Sequence, residues 1–291
     1  MKSRYLIILL YCFFISITSY AQRGGRSLGK LSGGGSQFWL GVSSGINKST
    51  PKVSESFSVI ENTIDEINNE KEYSNSMLLG NQLGILLSAD IKAGFGVSLQ
   101  PQVANYIFGY STETEWTSND GSFSQKYSHE NRLQYVQIPF QVKYDFIYSN
   151  LVGGFNDKLD IIKPFLFGGI AYSRLRNATK IITESGVNLD VTFERDPQTL
   201  DVTPQFIRTN WQALAGGGIN VDINSFRITL IYTQQFGLNN ISNVEERFTN
   251  SQQTQDFNDV NDDFNLNNWT LSLQAVFPLK FIYNPHFTKA K

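Results

Sequence analysis

The sequence predicts an all-β protein, an antiparallel up-and-down transmembrane β-barrel of about eight strands with long extracellular loops and short periplasmic turns. Three observations predict this fold class. The chain begins with an export signal, its later segments alternate apolar and polar residues with a period of two, and its connections alternate between short and long. Bacterial outer-membrane barrels combine all three features, because their strands face lipid and lumen in turn.

Composition narrows the classes of function. The chain has 291 residues, of which 41% are hydrophobic and 17% charged, and its net charge is −2. A nucleic-acid-binding protein normally carries a basic patch, so we expect no nucleic-acid partner. Two His and one Cys offer few metal ligands or nucleophiles. We therefore expect no enzyme, no metal and no cofactor.

The first 21 residues are typical of a cleaved signal peptide. Lys2 and Arg4 precede an apolar stretch at 6–17, and Ala21 ends a small-x-small cleavage site. An uncleaved anchor is the alternative, but this apolar run is short for a membrane span. The expected organisation continues with a flexible Gly- and Ser-rich leader at 22–36, a barrel at 37–281 and a tail at 282–291.

The strands are predicted from alternation. The clearest runs over 136–146, where Val136, Ile138 and Phe140 share one face and Gln137 and Gln141 share the other. A helix would mix these two sets, whereas a strand separates them. Similar alternation or Gly-rich equivalents predict strands at 37–47, 82–92, 95–103, 163–174, 210–222, 226–236 and 269–281.

The connections predict which end of the barrel carries the loops. Short links lie at 90–94 and 222–225, and a medium link lies at 148–162. Long polar connections lie at 48–81, 109–131, 175–209 and 238–268. Short periplasmic turns and longer extracellular loops alternate in this way in outer-membrane barrels.

A soluble β-sandwich or lipocalin-like barrel is the structural alternative, with an apolar inside and a polar outside. The polar face here carries Gln, Lys, Asp and Arg on several strands, which is too polar for a dry core. The apolar face carries aromatic residues toward strand ends, including Tyr144, Phe146, Trp269 and Phe281, as interfacial girdles require. Both features favour the outer-membrane barrel.

Four segments resemble the PorT-like outer-membrane β-barrel family. Residues 133–144 read LQYVQIPFQVKY and are similar to that family's YxxIPxxxKY strand. The Gly-rich strands KPFLFGGIAY and ALAGGGI follow at 163–172 and 213–219, and the strand end YTQQFGLNNI follows at 232–241. The resemblance covers about 37–281 and implies a Gram-negative outer-membrane barrel. One family member takes part in type IX secretion and gliding, so the resemblance implies outer-membrane lipid and envelope or secretion proteins as partners.

The polar strand face predicts a network inside the lumen. Small barrels have just enough room for side chains, so we expect a hydrogen-bonded and ion-paired plug, with Asp145 paired to Arg227 and Asp90 to Lys143. A water-filled path for small solutes is the alternative. The predicted network comprises Asp90, Gln100, Gln137, Gln141, Lys143, Asp145, Arg227, Gln235, Gln274 and Lys280.

A catalytic site would require His129, because His286 lies in the tail. Ser128 and Glu130 point to the opposite strand face, so we expect His129 to be an ordinary rim or loop histidine. The acidic run at Asp256, 259, 262 and 263 does not match an EF-hand loop, so a solvated loop is preferred to a weak calcium site.

Aromatic residues in the polar connections either anchor a partner or pack the loops on each other. They are Trp116, Phe123, Phe193, Phe206, Phe248, Phe257 and Phe264. The expected function is therefore structural or interaction-mediating, accessory to secretion or envelope assembly. A narrow passive channel is the alternative, and a barrel enzyme acting on lipid or peptide is a third class.

Overall fold

The computed structural model describes residues 37–59, 71–73, 78–91, 94–118, 121–146, 162–188, 191–223 and 226–279, without the side chains of 115–122. The predicted signal peptide, leader and tail, together with Lys280 and His286, lie outside the described residues. Within the described part, no helix is long and apolar enough to cross a membrane.

The described chain is almost entirely β-strand. It contains one turn of 3₁₀ helix at Thr203–Gln205 and one short helix, α1, at Ser251–Asp256. The strands are β1 (Gln37–Glu55), β2 (Glu72–Tyr73), β3 (Leu79–Asp90), β4 (Phe95–Leu99), β5 (Gln102–Ser118), β6 (Gly121–Asp145), β7 (Ile162–Asn188), β8 (Val191–Glu194), β9 (Gln198–Asp201), β10 (Thr209–Ile223), β11 (Phe226–Gly237) and β12 (Asp263–Pro278).

These strands close into a barrel of eight positions, all antiparallel. The ring runs β1, β3, β4 with β5, β6, β7, β10, β11 and β12, and β12 pairs with β1 to close it. β4 and β5 fill one position, because both pair with β3 and β6 on either side of Gln100 and Pro101. Even here the backbone stays connected, since the carbonyl of Pro101 accepts from the N–H of Ile85 at 2.9 Å. The predicted eight-stranded antiparallel barrel is confirmed.

The two faces of the wall are opposite in character. Leu83 and Leu273 point outward and are 66% and 57% exposed, whereas Gln82 and Gln274 beside them point inward and are buried. This order is the reverse of a soluble barrel, whose apolar residues face inward. The exposed apolar belt includes Leu40, Val42, Ile46, Leu83, Ile85, Leu87, Val103, Ile138, Phe140, Val142, Leu166, Ile170, Trp211, Ile219, Leu230, Tyr232, Phe236, Leu271 and Leu273.

The strands extend well past this belt, so the loop boundaries expected from the sequence are too wide. Residues 109–131, expected to be a loop, instead continue the hairpin of β5 and β6 to Ser118 and Gly121. The region 175–209 contains the rest of β7 as well as β8 and β9. In these extensions polar residues occupy both faces, so the period-two signal fades although the backbone ladder continues.

The mouth of the barrel, the end where the strands extend past the belt, is filled by an apolar core. Tyr106 and Tyr135 of the barrel wall pack in one cluster with Phe206, Phe257 and Phe264, which come from the predicted loops. These three loop aromatics are almost fully buried, whereas Phe248 is 61% exposed. Three of the six loop aromatics with described side chains therefore pack the loops into the mouth of the barrel, Phe123 and Phe193 are half-buried, and Phe248 faces solvent.

Candidate functional site

A chain of glutamines crosses the lumen at mid-height. The Nε2 of Gln274 donates to the Oε1 of Gln100 at 2.9 Å, and Gln100 donates to Gln102 at 2.7 Å. Gln102 then donates to Gln137 at 2.6 Å, and Gln137 donates to Gln212 at 2.6 Å. A carboxamide both donates and accepts, so each member satisfies the next without introducing charge. We call these five residues the glutamine chain.

Side chains around the glutamine chain complete the filling of the lumen. The hydroxyl of Tyr106 lies 3.2 Å from the Oε1 of Gln137 and 3.1 Å from that of Gln235. Gln141 accepts from Ser98 at 3.2 Å. The cavity left at this level has a volume of about 10 Å³, roughly the space that one water molecule requires. The lumen is therefore closed at mid-height by side chains.

Charged residues occupy the lumen at the end where the strand connections are short. The guanidinium of Arg227 bonds Asp222 at 2.6 Å and Asp90 at 3.2 Å, and it stacks 4.2 Å from the Trp39 ring. Lys163 bonds Asp222 at 2.8 Å, and the indole N–H of Trp39 donates to Asp90 at 2.8 Å. We call these five residues the lower charge cluster.

Two ion pairs expected from the sequence do not form. Arg227 pairs with Asp222 rather than Asp145, because Asp222 faces it directly across the β10–β11 ladder. Lys143 does not pair with Asp90; its Nζ lies 5.2 Å from the ring centroid of Phe165. The structure thus gathers Asp90, Lys143, Asp145 and Arg227 at one end of the lumen but pairs them differently. Asp222 was missed because the sequence alone does not show which residues face each other across strands.

A second charged group is buried at the mouth. The Nζ of Lys180 bonds Asp259 at 2.8 Å, Asn261 at 2.8 Å and the hydroxyl of Tyr110 at 3.0 Å. Asp259 also accepts from the Tyr110 hydroxyl and from Gln253, each at 2.8 Å. The side chains of Lys180 and Asp259 are 0% and 1% exposed. This pair therefore ties the segment before β12 to the wall strand β7.

Another ion pair lies beside it. Lys71 bonds Asp262 at 2.6 Å and donates to the carbonyl of Phe57 at 2.9 Å, while Tyr73 donates to Asp262 at 2.7 Å. These contacts connect the segments after β1 and before β12. We call Lys71, Tyr110, Lys180, Asp259 and Asp262 the mouth cluster. Its two lysines and two aspartates balance in charge, as burial requires.

His129 lies inside the mouth, so the expectation of a rim or loop histidine is wrong. Its ring stacks on Tyr110 with centroids 4.6 Å apart, and its Nδ1 lies 3.7 Å from the Oδ2 of Asp259. Neither ring nitrogen has a hydrogen-bond partner among the described residues. Ser128 points to the other face, and Glu130 pairs with Arg132. The geometry brings no serine nucleophile to this histidine within the described structure. Continuing the alternation of 136–146 backward would have placed His129 on the inward face.

Burial and neighbouring charges set the protonation of the mouth cluster. Burial lowers the pKa of His129 to about 4, with Lys180 and Lys71 acting in the same direction and Asp259 opposing them. Burial alone would raise the pKa of Asp259, but Lys180, His129 and Lys71 hold it below its usual range. Burial also raises the pKa of the Tyr110 hydroxyl. At neutral pH the cluster therefore holds a neutral histidine beside an ionised aspartate.

The acidic run is not the solvated loop that the sequence suggests. Asp259 and Asp262 are buried against lysines, and Asp263 pairs with Arg247. Only Asp256 of this run is exposed. Among the described residues, no group of three or more His, Cys, Asp or Glu is arranged to hold a metal ion. These carboxylates instead fasten the loops to the barrel wall.

Comparison with known proteins returns likeness only to solved structures. No protein-family model matches the chain, and no curated protein matches it. Neisserial surface protein A aligns at 10% identity over 84% of this chain and 98% of that one, with a TM-score of 0.35. Outer membrane protein W of E. coli aligns at 10% identity over 84% and 97%, with a TM-score of 0.33. The N-terminal β-barrel domain of Pseudomonas aeruginosa OprF aligns at 10% identity over 84% and 100%, with a TM-score of 0.30. At these TM-scores the likenesses carry no argument about function, and the barrel is established by its own strand pairing.

Proposed function

We propose that this protein is an integral outer-membrane β-barrel with a closed lumen and a structural or interaction role. The observation that carries the proposal is the inverted wall, apolar outside and polar inside. Outward side chains such as Leu83 and Leu273 are more than half exposed, and a wall of such residues needs lipid rather than water around it.

The height of the belt supports a membrane location. On β1 the outward residues from Phe38 to Ile46 are apolar except for Ser44, after which Lys48 and Lys52 take the same face. From residue 38 to residue 46 the strand rises roughly 27 Å, or about 21 Å along the bilayer normal at a tilt of about 40°. Outer-membrane barrels carry an apolar band about 25 Å tall. The belt therefore matches the hydrocarbon layer it would cross.

The closed lumen supports a role other than transport. The glutamine chain crosses the barrel, and the lower charge cluster and the mouth cluster lie toward its two ends. Any solute would have to displace hydrogen-bonded side chains at all three levels.

The surface built by the loops supports an interaction role. Four apolar residues beyond the belt, at the mouth of the barrel, are 57–67% exposed: Val191, Leu238, Val244 and Phe248. Exposed apolar residues on loops that are packed into the mouth are suited to contact another protein. Together with the resemblance to PorT-like barrels, they support a partner among secretion or envelope-assembly proteins.

Single cysteines can test the membrane location. Cys12 lies in the predicted signal peptide and is the chain's single cysteine, so Leu273→Cys and Phe248→Cys would each give the mature protein one thiol. With a membrane-impermeant maleimide on intact cells, we expect Phe248→Cys to be labelled and Leu273→Cys to be protected. Equal labelling of both would show that the belt faces water and would overturn the proposal.

Two further measurements separate the roles. In planar bilayers we expect no conductance steps from the purified barrel, and regular steps would favour the narrow channel instead. After mild-detergent extraction we expect a stoichiometric set of envelope or secretion proteins that is lost on Phe248→Ser. A lone barrel in that extract would count against the accessory role.

A further inference from the structure

The outer wall carries a groove that differs from the apolar belt around it. Asn81, Asn105 and Gln134 face outward on the neighbouring strands β3, β5 and β6. The Nδ2 of Asn105 donates to the Oδ1 of Asn81 at 2.6 Å, and the Nε2 of Gln134 donates to the Oδ1 of Asn105 at 3.2 Å. These three residues form an amide ladder along a cavity of about 300 Å³.

The groove lies at the upper border of the belt. Below the ladder, Leu83 and Val103 point outward and are 66% and 43% exposed. Above it, Leu79 and Ile107 line the groove together with Arg132. A molecule in the groove would therefore contact amides at one level and could extend downward along apolar side chains.

The ladder is incomplete in a way that suits a ligand. Within the described residues, its internal hydrogen bonds leave the Nδ2 of Asn81 without an acceptor and the Oε1 of Gln134 without a donor. One donor and one acceptor thus lie at opposite ends of the row. Such a pair fits hydroxyl groups, which both donate and accept.

The groove carries little net charge. Arg132 is the cation that lines it, and its Nε bonds the carboxylate of Glu130 at 2.5 Å. On the far side, the amide of Asn177 accepts from the hydroxyl of Thr203 at 3.2 Å. Recognition here therefore depends on neutral hydrogen bonds rather than on attraction of a phosphate.

We propose that this groove binds the sugar headgroup of a membrane glycolipid, with its acyl chains lying along the belt below. The proposal rests on the proposed membrane location, since a lipid in the same leaflet would place hydroxyls at the ladder and chains beside Leu83 and Val103. Amides at the border of an apolar belt are costly unless they are paired, and a bound headgroup supplies the missing partners.

Native mass spectrometry of the detergent-extracted protein tests this inference. The probes are an uncharged diglucosyl diacylglycerol and phosphatidylglycerol with the same acyl chains. We expect the glycolipid to bind more tightly, and its affinity to change little between low and high ammonium acetate. Asn105→Leu should weaken glycolipid binding by about tenfold, corresponding to about 1.4 kcal/mol.

The matched control is Gln234→Leu, which changes an outward amide on β11, a strand remote from the groove, and should leave binding unchanged. If Asn105→Leu does not fold, Gln134→Leu carries the same expectation from the end of the ladder. Tighter or salt-sensitive binding of phosphatidylglycerol, or equal binding by the ladder variant and its control, would overturn the inference. The maleimide labelling above reads membrane location separately, so the two proposals can fail independently.

Discussion

Removing Lys180 should release the loop segment that closes the barrel mouth. Lys180→Met keeps the length of the side chain but leaves the carboxylate of Asp259, 1% exposed, with two neutral donors and the more distant Nζ of Lys71 at 4.0 Å in place of its hydrogen-bonded charged partner. Breaking a buried ion pair by removing one partner costs about 3–5 kcal/mol. At about 1.4 kcal/mol per tenfold change, the opening constant of this segment should rise by roughly two to four powers of ten.

Hydrogen exchange measures that opening directly. We expect amide exchange across 253–261 to accelerate in Lys180→Met while the belt strands stay protected. The matched control is Lys126→Met, whose partner Glu113 lies 2.9 Å away but is 41% exposed, so its loss should cost less than about 1 kcal/mol. A second variant, Lys180→Met with Asp259→Leu, should restore most protection because no buried charge is left unpaired. Equal exchange in Lys180→Met and its control would refute the reasoning.

Three other predictions concern single residues. The pKa of His129 is about 4 in the closed mouth against about 6.5 when free. Because the opened state therefore binds more protons below pH 6.5, the stability of the closed mouth falls as the pH falls. The opening constant measured by hydrogen exchange, corrected for the intrinsic exchange rate, should rise about twentyfold between pH 7 and pH 5. His129→Phe should remove that pH dependence. Gly169→Ala should lower the free energy of unfolding in urea by about 1–3 kcal/mol, because its Cβ would overlap a backbone oxygen of the adjacent strand. At Gly168 the nearest atom to such a Cβ is 3.8 Å away, so Gly168→Ala should leave the free energy of unfolding unchanged. Gln235→Ala should cost about 1–3 kcal/mol by leaving buried partners unpaired, whereas Gln234→Ala, on the outward face of the same strand, should be near neutral; equal midpoints for the two would contradict the closed lumen.

The strands crossing the belt could be predicted from the sequence because each face has one character. From Val136 to Phe146 the alternation needs no knowledge of the neighbouring strand, and the structure keeps Val136 outward and Gln137 inward. The predicted lumen residues Gln100, Gln141 and Gln274 likewise lie inside the barrel. Period-two patterning is a local property, so one sequence is enough to read it.

The partners within the lumen could not be predicted, because they depend on register. Arg227 meets Asp222 rather than Asp145 since the short β10–β11 turn places the first pair directly opposite. The pairing of Lys180 with Asp259 joins residues far apart in the sequence, through a loop that folds into the mouth. Local patterning gives no sign of the second contact, and both of its residues appear as solvated charges in polar connections.

Two of the three closures of the lumen, the mouth cluster and the glutamine chain, are independent of each other. Opening the mouth by breaking the pair of Lys180 and Asp259 would leave the glutamine chain intact, because its five members bond one another and not the loops. Cutting the chain at Gln137 would in turn leave the mouth closed. A path for solute therefore requires both changes together with displacement of the lower charge cluster, and no single change should produce conductance. This arrangement is expected of a barrel stabilised by its filled interior, whereas a gated channel would need one movable element to control the whole path.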